Sequence, residues 1–167
     1  LYQLVEGPTD IDCSEKLIKD LHHAVIELSE EISDQDFRST EVFISGSNHK
    51  PPGPEEMKKS LSDLISWSRR GPGSLHIIEF SALFHHRFAH IHPFLDGNGR
   101  TARLLMNLLL MRAGFPLVII LKNDRQKYYR ALRSADNGRY KAIIQFIAQA
   151  AIRSLNLYLD VLASSRE

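Results

Sequence analysis

Apolar positions fall at helical spacing along most of the chain. Leu17, Leu21, Val25, Leu28 and Ile32 recur every three or four residues, and Asp12 with Glu15 gives that segment a capping-box-like start. Pro54 opens a second periodic segment with Glu55 and Glu56 in its first turn, where the helix dipole favours anions. Met57, Leu61, Leu64 and Ile65 form its stripe, and Gly71-Pro72-Gly73 breaks it. A third stripe runs through Ile77, Phe80, Phe84, Phe88 and Ile91. From Leu104 to Met111 the next segment is apolar on nearly every side, as in a helix at the centre of a domain, with Gly114 placed to end it. Residues 123–137 read as a helix capped by Asn123 or Asp124 and stopped at Asn137-Gly138. Residues 140–162 read as a long final helix. Two stretches leave this pattern. Val42, Phe43 and Ile44 favour extended backbone ahead of a Gly/Asn/Pro-rich loop, and Phe115–Leu121 reads as a short strand. The prediction is a mainly α domain spanning 1–167, with no internal repeat and no low-complexity segment.

Composition narrows the partners more than the fold. The 167 residues suffice for one domain with a real core. Lys and Arg number 21 against 20 for Asp and Glu, and no basic run appears, so a dedicated nucleic-acid binder is disfavoured. Cys13 is alone, which excludes an intrachain disulfide and fits a reducing compartment, so a cytoplasmic location is expected. The longest apolar run, Phe115–Leu121, is too short to span a bilayer, and no leader-like stretch is read. The chain opens on Leu1 and is expected to be a fragment, with any anchor or regulator upstream out of view.

The chemistry concentrates in "HPFLDGNGR", His92 to Arg100. Gly97 and Gly99 flank Asn98 immediately before a helix, so backbone amides can turn inward as an anion nest on a positive helix terminus. Arg100 and Arg103 follow on one helical face. Two arginines above an amide nest suit more than one phosphate. Asp96 is the only acid in the stretch, and a carboxylate beside polyphosphate usually holds Mg²⁺. His92 can accept a proton near neutral pH. Together the parts suggest transfer of a phosphate-linked group to a hydroxyl. A tight helix–loop–helix corner, with glycines for the turn and solvated arginines, accounts for the same composition, and on spacing alone both readings stand.

"HPFLDGNGRTAR" resembles the signature of the Fic family, His-x-Phe-x-Asp/Glu-Gly-Asn-Gly-Arg-x-x-Arg, and fills every defined position: His92, Phe94, Asp96, Gly97, Asn98, Gly99, Arg100 and Arg103. The resemblance extends from about Leu17 to about Leu162, and within the family the branch with the animal endoplasmic-reticulum protein is the most similar. It implies a Fic-type helical fold with a short β-hairpin flap at about 41–46 beside the motif loop 92–103. It implies transfer of AMP from ATP to a Ser, Thr or Tyr hydroxyl of a protein. His92 would be the base, Asp96 would hold Mg²⁺ (or Mn²⁺), and Asn98 with the amides around Gly97 and Gly99 would fix the α-phosphate. Arg100 and Arg103 would take the β- and γ-phosphates, and Phe94 would anchor the loop. Flap residues Val42, Phe43 and Ile44 would bind the target, and Tyr128, Tyr129 and Leu132 would wall the adenine. Close relatives carry Asn where this chain has Asp136, which leaves strict preference for ATP open.

The resemblance leaves other activities in play: removal of AMP through the same site, transfer of another phosphate-linked group, or a binding module without catalysis. Intact His92 and Asp96 speak against the last. Many relatives carry an inhibitory Ser/Thr-x-x-x-Glu-Gly/Asn helix. Glu6-Gly7 has its ending, but Tyr2 stands where Ser or Thr is required, so the chain is expected to lack its own brake, and an inhibitory segment, where one exists, to lie upstream or in trans. A homodimer is compatible with the resemblance. His86, His90 and His92 together suggest zinc, but His92 has a role already and helical His pairs are common, so packing is preferred. His22, His23, His49, His76 and His85 read as surface or interface residues, and Trp67 and Cys13 as packing residues.

Overall fold

The computed structural model describes residues 13–27 and 36–165. Six α-helices run through them: α1 (Glu15–Glu27), α2 (Pro54–Arg69), α3 (Ile77–Ile91), α4 (Asn98–Arg112), α5 (Arg125–Asp136) and α6 (Lys141–Ser164), with a single 3₁₀ turn at Lys122–Asp124. Asp12, Leu28, Ile32 and the Glu6-Gly7 pair lie outside the described residues. Ser14 caps α1, its Oγ accepting the Leu17 amide at 3.3 Å.

Helix α4 holds the domain together because its apolar surface has two faces. Leu105 and Leu109 join Phe80, Phe84, Phe88, Phe94, Leu61 and Met57 in one cluster under α1–α4. Met106 and Leu110 join Tyr128, Ala131, Ile143 and Ile147 in a second cluster under α5 and α6. Helix α3 bridges the same two clusters with its phenylalanines on one side and Ala82 on the other. The motif loop is the link between α3 and α4, the two most buried helices, so the core itself fixes its ends.

Three expectations are corrected. No strand forms among the described residues, so neither the flap hairpin nor the Phe115–Leu121 strand is present there. At Val42–Ile44 the β-favouring side chains have no partner strand. The segment instead turns at Ser45-Gly46, where Gly46 has φ of 75° and the Ser47 amide donates to the Ile44 carbonyl at 3.1 Å. At Phe115–Leu121 the in-out alternation is real: Val118 is buried while Leu117 and Ile119 are exposed. Its backbone bonds go to a side chain, however. Asn107 of α4 accepts the Val118 amide at 2.7 Å and donates to the Val118 carbonyl at 3.0 Å, standing in for a strand. Finally, α6 has 24 residues and mean hydropathy 1.2 over its most apolar window, long and apolar enough by length and composition to cross a bilayer. Gln145, Gln149 and Arg153 hid that length from a search for unbroken apolar runs. The first half of α6 packs as a core helix through Ile143, Phe146, Ile147, Ala150 and Ala151.

Both predicted glycine stops are Schellman caps. Gly114 (φ 83°) donates to Met111 and Phe115 to Leu110, each at 3.0 Å. Gly138 (φ 74°) and Arg139 do the same to Ala135 and Ser134 at 2.9 and 3.1 Å. The start of α5 differs from expectation: Asp124 sits at the cap position without a side-chain cap bond, because its carboxylate pairs with Arg153 of α6 at 2.9 Å. Asn107→Ala is expected to lower stability by about 2–4 kcal/mol in denaturant titration, since it strands a buried N–H and a buried C=O of Val118 at about 1–3 kcal/mol each. A loss under 1 kcal/mol would show that water replaces the amide.

Candidate active site

His92 ends α3 in a left-handed conformation, φ 54° and ψ 60°, the one positive φ outside glycine among the described residues. Such a backbone costs a side-chain-bearing residue about 1–2 kcal/mol, and Arg38 holds it there. The Arg38 side chain is 2% exposed. Its Nε donates to the His92 carbonyl at 2.7 Å and Nη1 to the Thr40 carbonyl at 2.8 Å. Nη2 donates to the carbonyls of Pro52 and Ile91, and the Arg38 backbone amide donates to Pro93 at 2.9 Å. One guanidinium therefore ties the last carbonyls of α3, where the helix dipole favours a cation, to both stems of the 41–51 segment.

This backbone aims the imidazole. His92 Nδ1 donates to the Ala89 carbonyl at 3.3 Å, which leaves the Nε2 lone pair for a proton. Burial pushes the His92 pKa below its ordinary value despite that bond, and Arg38 and His49 add to the effect. The ring is neutral at neutral pH, as a general base must be.

The rest of the loop is construction. Phe94 is buried, with Phe37 (5.2 Å between ring centres) and His22 (3.6 Å) against it. Asn98 is 2% exposed, and its side chain accepts the Phe94 amide and donates to the Phe94 carbonyl, both at 2.9 Å. The carboxamide expected on a phosphate thus closes the loop, and what Asn98 offers an anion is its backbone N–H. Gly97 (φ 73°) would bear a side chain only under strain, and its Cβ would crowd the end of the Ile26 side chain at 2.9 Å and His22 at 3.3 Å. As a glycine it also caps α4 without a side-chain oxygen, so the first amides of α4 stay uncapped for an anion.

His92, Gly99 and Arg103 line one cavity of about 430 Å³. Tyr128, Tyr129 and Leu132 of α5 form its wall, and Ile44 faces it from the 41–51 segment. Asp96, Gly97, Asn98, Arg100, Val42 and Phe43 do not line it, and Phe43 is 80% exposed. Asp96 and Arg100 face each other at 3.4 Å, both partly open to solvent. Arg103 acts electrostatically on the neighbouring Tyr128 hydroxyl, which lies 2.8 Å from His85 Nε2. Burial raises the Tyr128 pKa to about 12 and lowers that of His85 to about 4, so both are neutral.

The histidines correct the sequence reading most. His22 and His85 are buried supports rather than surface residues. Burial lowers the His22 pKa to about 4, with Arg100 acting in the same direction. His86 Nε2 and His90 Nδ1 do converge, but on Asp136 Oδ1, at 2.9 and 3.1 Å, and His92 takes no part. Burial pushes the Asp136 carboxyl up, yet these bonds outweigh it and hold the pKa below the usual range. Sequence reasoning missed Arg38 entirely. A lone arginine in a polar segment carries no periodic signal, and only its burial reveals it.

Comparison with known proteins meets this geometry. The Fic/DOC family matches residues 12–110. A protein adenylyltransferase Fic from Nematostella vectensis is 45% identical over 143 residues, covering 85% of this chain and 33% of the relative. Its Drosophila melanogaster counterpart is 43% identical over 150 residues, covering 89% and 30%. The chain thus spans about a third of the length of these curated relatives. A solved structure of Caenorhabditis elegans Fic-1 superposes with a TM-score of 0.85 at 30% identity, covering 98% of this chain and 48% of that one. Motif, helical frame and loop geometry agree with these matches, and the chain belongs to the Fic/DOC family.

Proposed function

We propose that this domain is a protein adenylyltransferase, moving AMP from ATP to a hydroxyl of a target protein. The observation that carries the reading is the juxtaposition, in one cavity, of a neutral imidazole with a free Nε2 and Arg103 beside an uncapped helix N-terminus. His92 Nε2 takes the proton of the attacking hydroxyl. The hydroxyl oxygen bonds to the α-phosphorus as the bond to the β-phosphate oxygen breaks, and pyrophosphate leaves. The start of α4, which reaches the cavity at Gly99, faces the charge that grows on the α-phosphoryl oxygens, oriented before the reaction begins. Arg103, which lines the cavity, holds the terminal phosphates, and Arg100 approaches them from the rim. Tyr129 and Leu132 are the faces available to the base, since Tyr128 is buried and spends its hydroxyl on His85. Ile44 is the flap residue that reaches the cavity.

A lone exposed carboxylate fits a hard cation shared with phosphate oxygens, and Asp96, with a side chain 64% exposed, is that group. Bound there, Mg²⁺ would neutralise phosphate charge.

The reading is tested by incubating the domain with a lysate and ATP labelled at the α or the γ position. Protein labelling from the α position alone is expected, and labelling from the γ position would mean kinase chemistry. His92→Ala is expected to lower labelling by about 10²–10⁴-fold while ATP still binds. The wild-type rate should rise with pH as His92 loses its proton, with the midpoint of the rise below the ordinary imidazole pKa of about 6.5. Asp96→Ala should leave a low activity that added Mg²⁺ or Mn²⁺ cannot restore, and near-normal rescue would place the cation elsewhere.

Arg38 is a positioning residue in this scheme. Arg38→Lys keeps the charge but loses the fork that reaches four carbonyls. It is expected to lower kcat about 10²-fold with KM for ATP unchanged, because Arg38 does not line the cavity. A raised KM at preserved kcat would remove Arg38 from the aiming of His92.

A further inference from the structure

His49, His90 and Asp136 come from three separate parts of the chain: the 41–51 segment, the last turn of α3 and the C-terminal residue of α5. Their candidate ligand atoms all lie within 4.8 Å of one another, and each residue is partly buried. All three line the cavity. Two imidazoles and a carboxylate form a donor set of the borderline kind that binds zinc and its first-row neighbours, with positions left for water. The outer contacts are those that fix metal ligands elsewhere. His49 Nε2 donates to the His90 carbonyl at 2.8 Å, which leaves His49 Nδ1 with its lone pair exposed for bonding. Asp136 is oriented by His86, which is 4% exposed and donates from Nε2 to Oδ1 at 2.9 Å. Asp136 Oδ2 has no hydrogen bond among the described residues.

We propose that His49, His90 and Asp136 form a binding site for a divalent transition-metal ion of zinc type, distinct from the Asp96 position, which pins the 41–51 segment onto α3 and α5. Zinc bonds of about 2.0–2.2 Å to nitrogen and oxygen require ligand atoms roughly 3–3.6 Å apart. The three side chains must therefore close by about 1 Å, which rotation about the side-chain bonds supplies. The hydrogen bond between His90 Nδ1 and Asp136 Oδ1, at 3.1 Å, gives way when both atoms turn to the ion. His86 stays behind Asp136 as its orienting donor. The ion would cross-link a segment that carries Ile44 into the cavity. Its binding does not depend on the adenylyltransferase reading and is measured without nucleotide.

The test titrates the metal-free domain with Co²⁺ and with Zn²⁺, following the visible d–d absorption of Co²⁺ and the heat of Zn²⁺ binding. One ion per chain is expected, with the intense Co²⁺ band of low coordination. Asp136→Asn and His49→Ala should each weaken binding at least tenfold. His86→Gln should weaken it about 10–100-fold through the orientation of Asp136, while Asp96→Ala should leave it unchanged. Circular dichroism checks that each variant is folded. Should His86→Gln fail to fold, the variants His49→Ala and Asp136→Asn decide the matter. Binding only of the weak, multiple kind given by surface histidines, or binding indifferent to Asp136 and His49, would overturn the proposal. So would a Co²⁺ spectrum matching hexaaquo cobalt.

Discussion

A left-handed backbone at His92 is the constraint from which the site follows. The α3 helix must end there, the chain must turn back into α4 within five residues, and the imidazole must leave the turn facing the cavity. An ordinary residue resists this conformation. Glycine would accept it and could not carry the base. The fold resolves the conflict by burying a guanidinium against the strained carbonyls. Arg38 is charged, nearly inaccessible and surrounded by oxygen acceptors, which is the arrangement that makes a buried cation tolerable. Since the same group also holds Thr40 and Pro52, the position of the 41–51 segment and the geometry of His92 are one mechanical unit.

Much of the helical frame was legible in the sequence. Stripes such as Phe80-Phe84-Phe88 and Met57-Leu61-Leu64 bury the faces they mark. Pro54, Gly114 and Gly138 punctuate the chain where their backbone preferences apply. What was not legible depends on contacts distant in sequence. The β-favouring side chains of Val42–Ile44 cannot form a ladder without a partner strand, and the sequence does not say whether one arrives. His22 and His85 look like polar surface residues until Phe94, Gly97 and Tyr128 are packed against them. Asp124 has the right chemistry for a helix cap, yet Arg153 reaches it from α6.

Residue type also misassigned labour inside the motif. Amide, glycine and arginine all read as phosphate ligands because each can be one. The structure separates them by burial. Asn98 and Gly97 form a closed corner in which side-chain bonds go to Phe94 and the absence of a side chain makes room for Ile26 and His22. The two arginines divide as well. Arg103 lines the cavity, while Arg100 sits outside it, opposite Asp96.

The same division explains why so compact a motif can be specific without being large. A phosphate-binding turn built from exposed side chains would have to order each of them on binding, at about 0.5–1.5 kcal/mol for every long side chain immobilised. Here the ordering is done during folding. Phe94 is locked between His22 and Phe37, and Asn98 is saturated by the loop it closes. The neutral histidines at 22 and 85 suit this work, because a charged ring behind the α4 terminus would be repelled by the positive helix end and by Arg100 and Arg103. Burial, by keeping those rings uncharged, leaves the positive end of α4 and Arg103 as the positive charge beside the cavity.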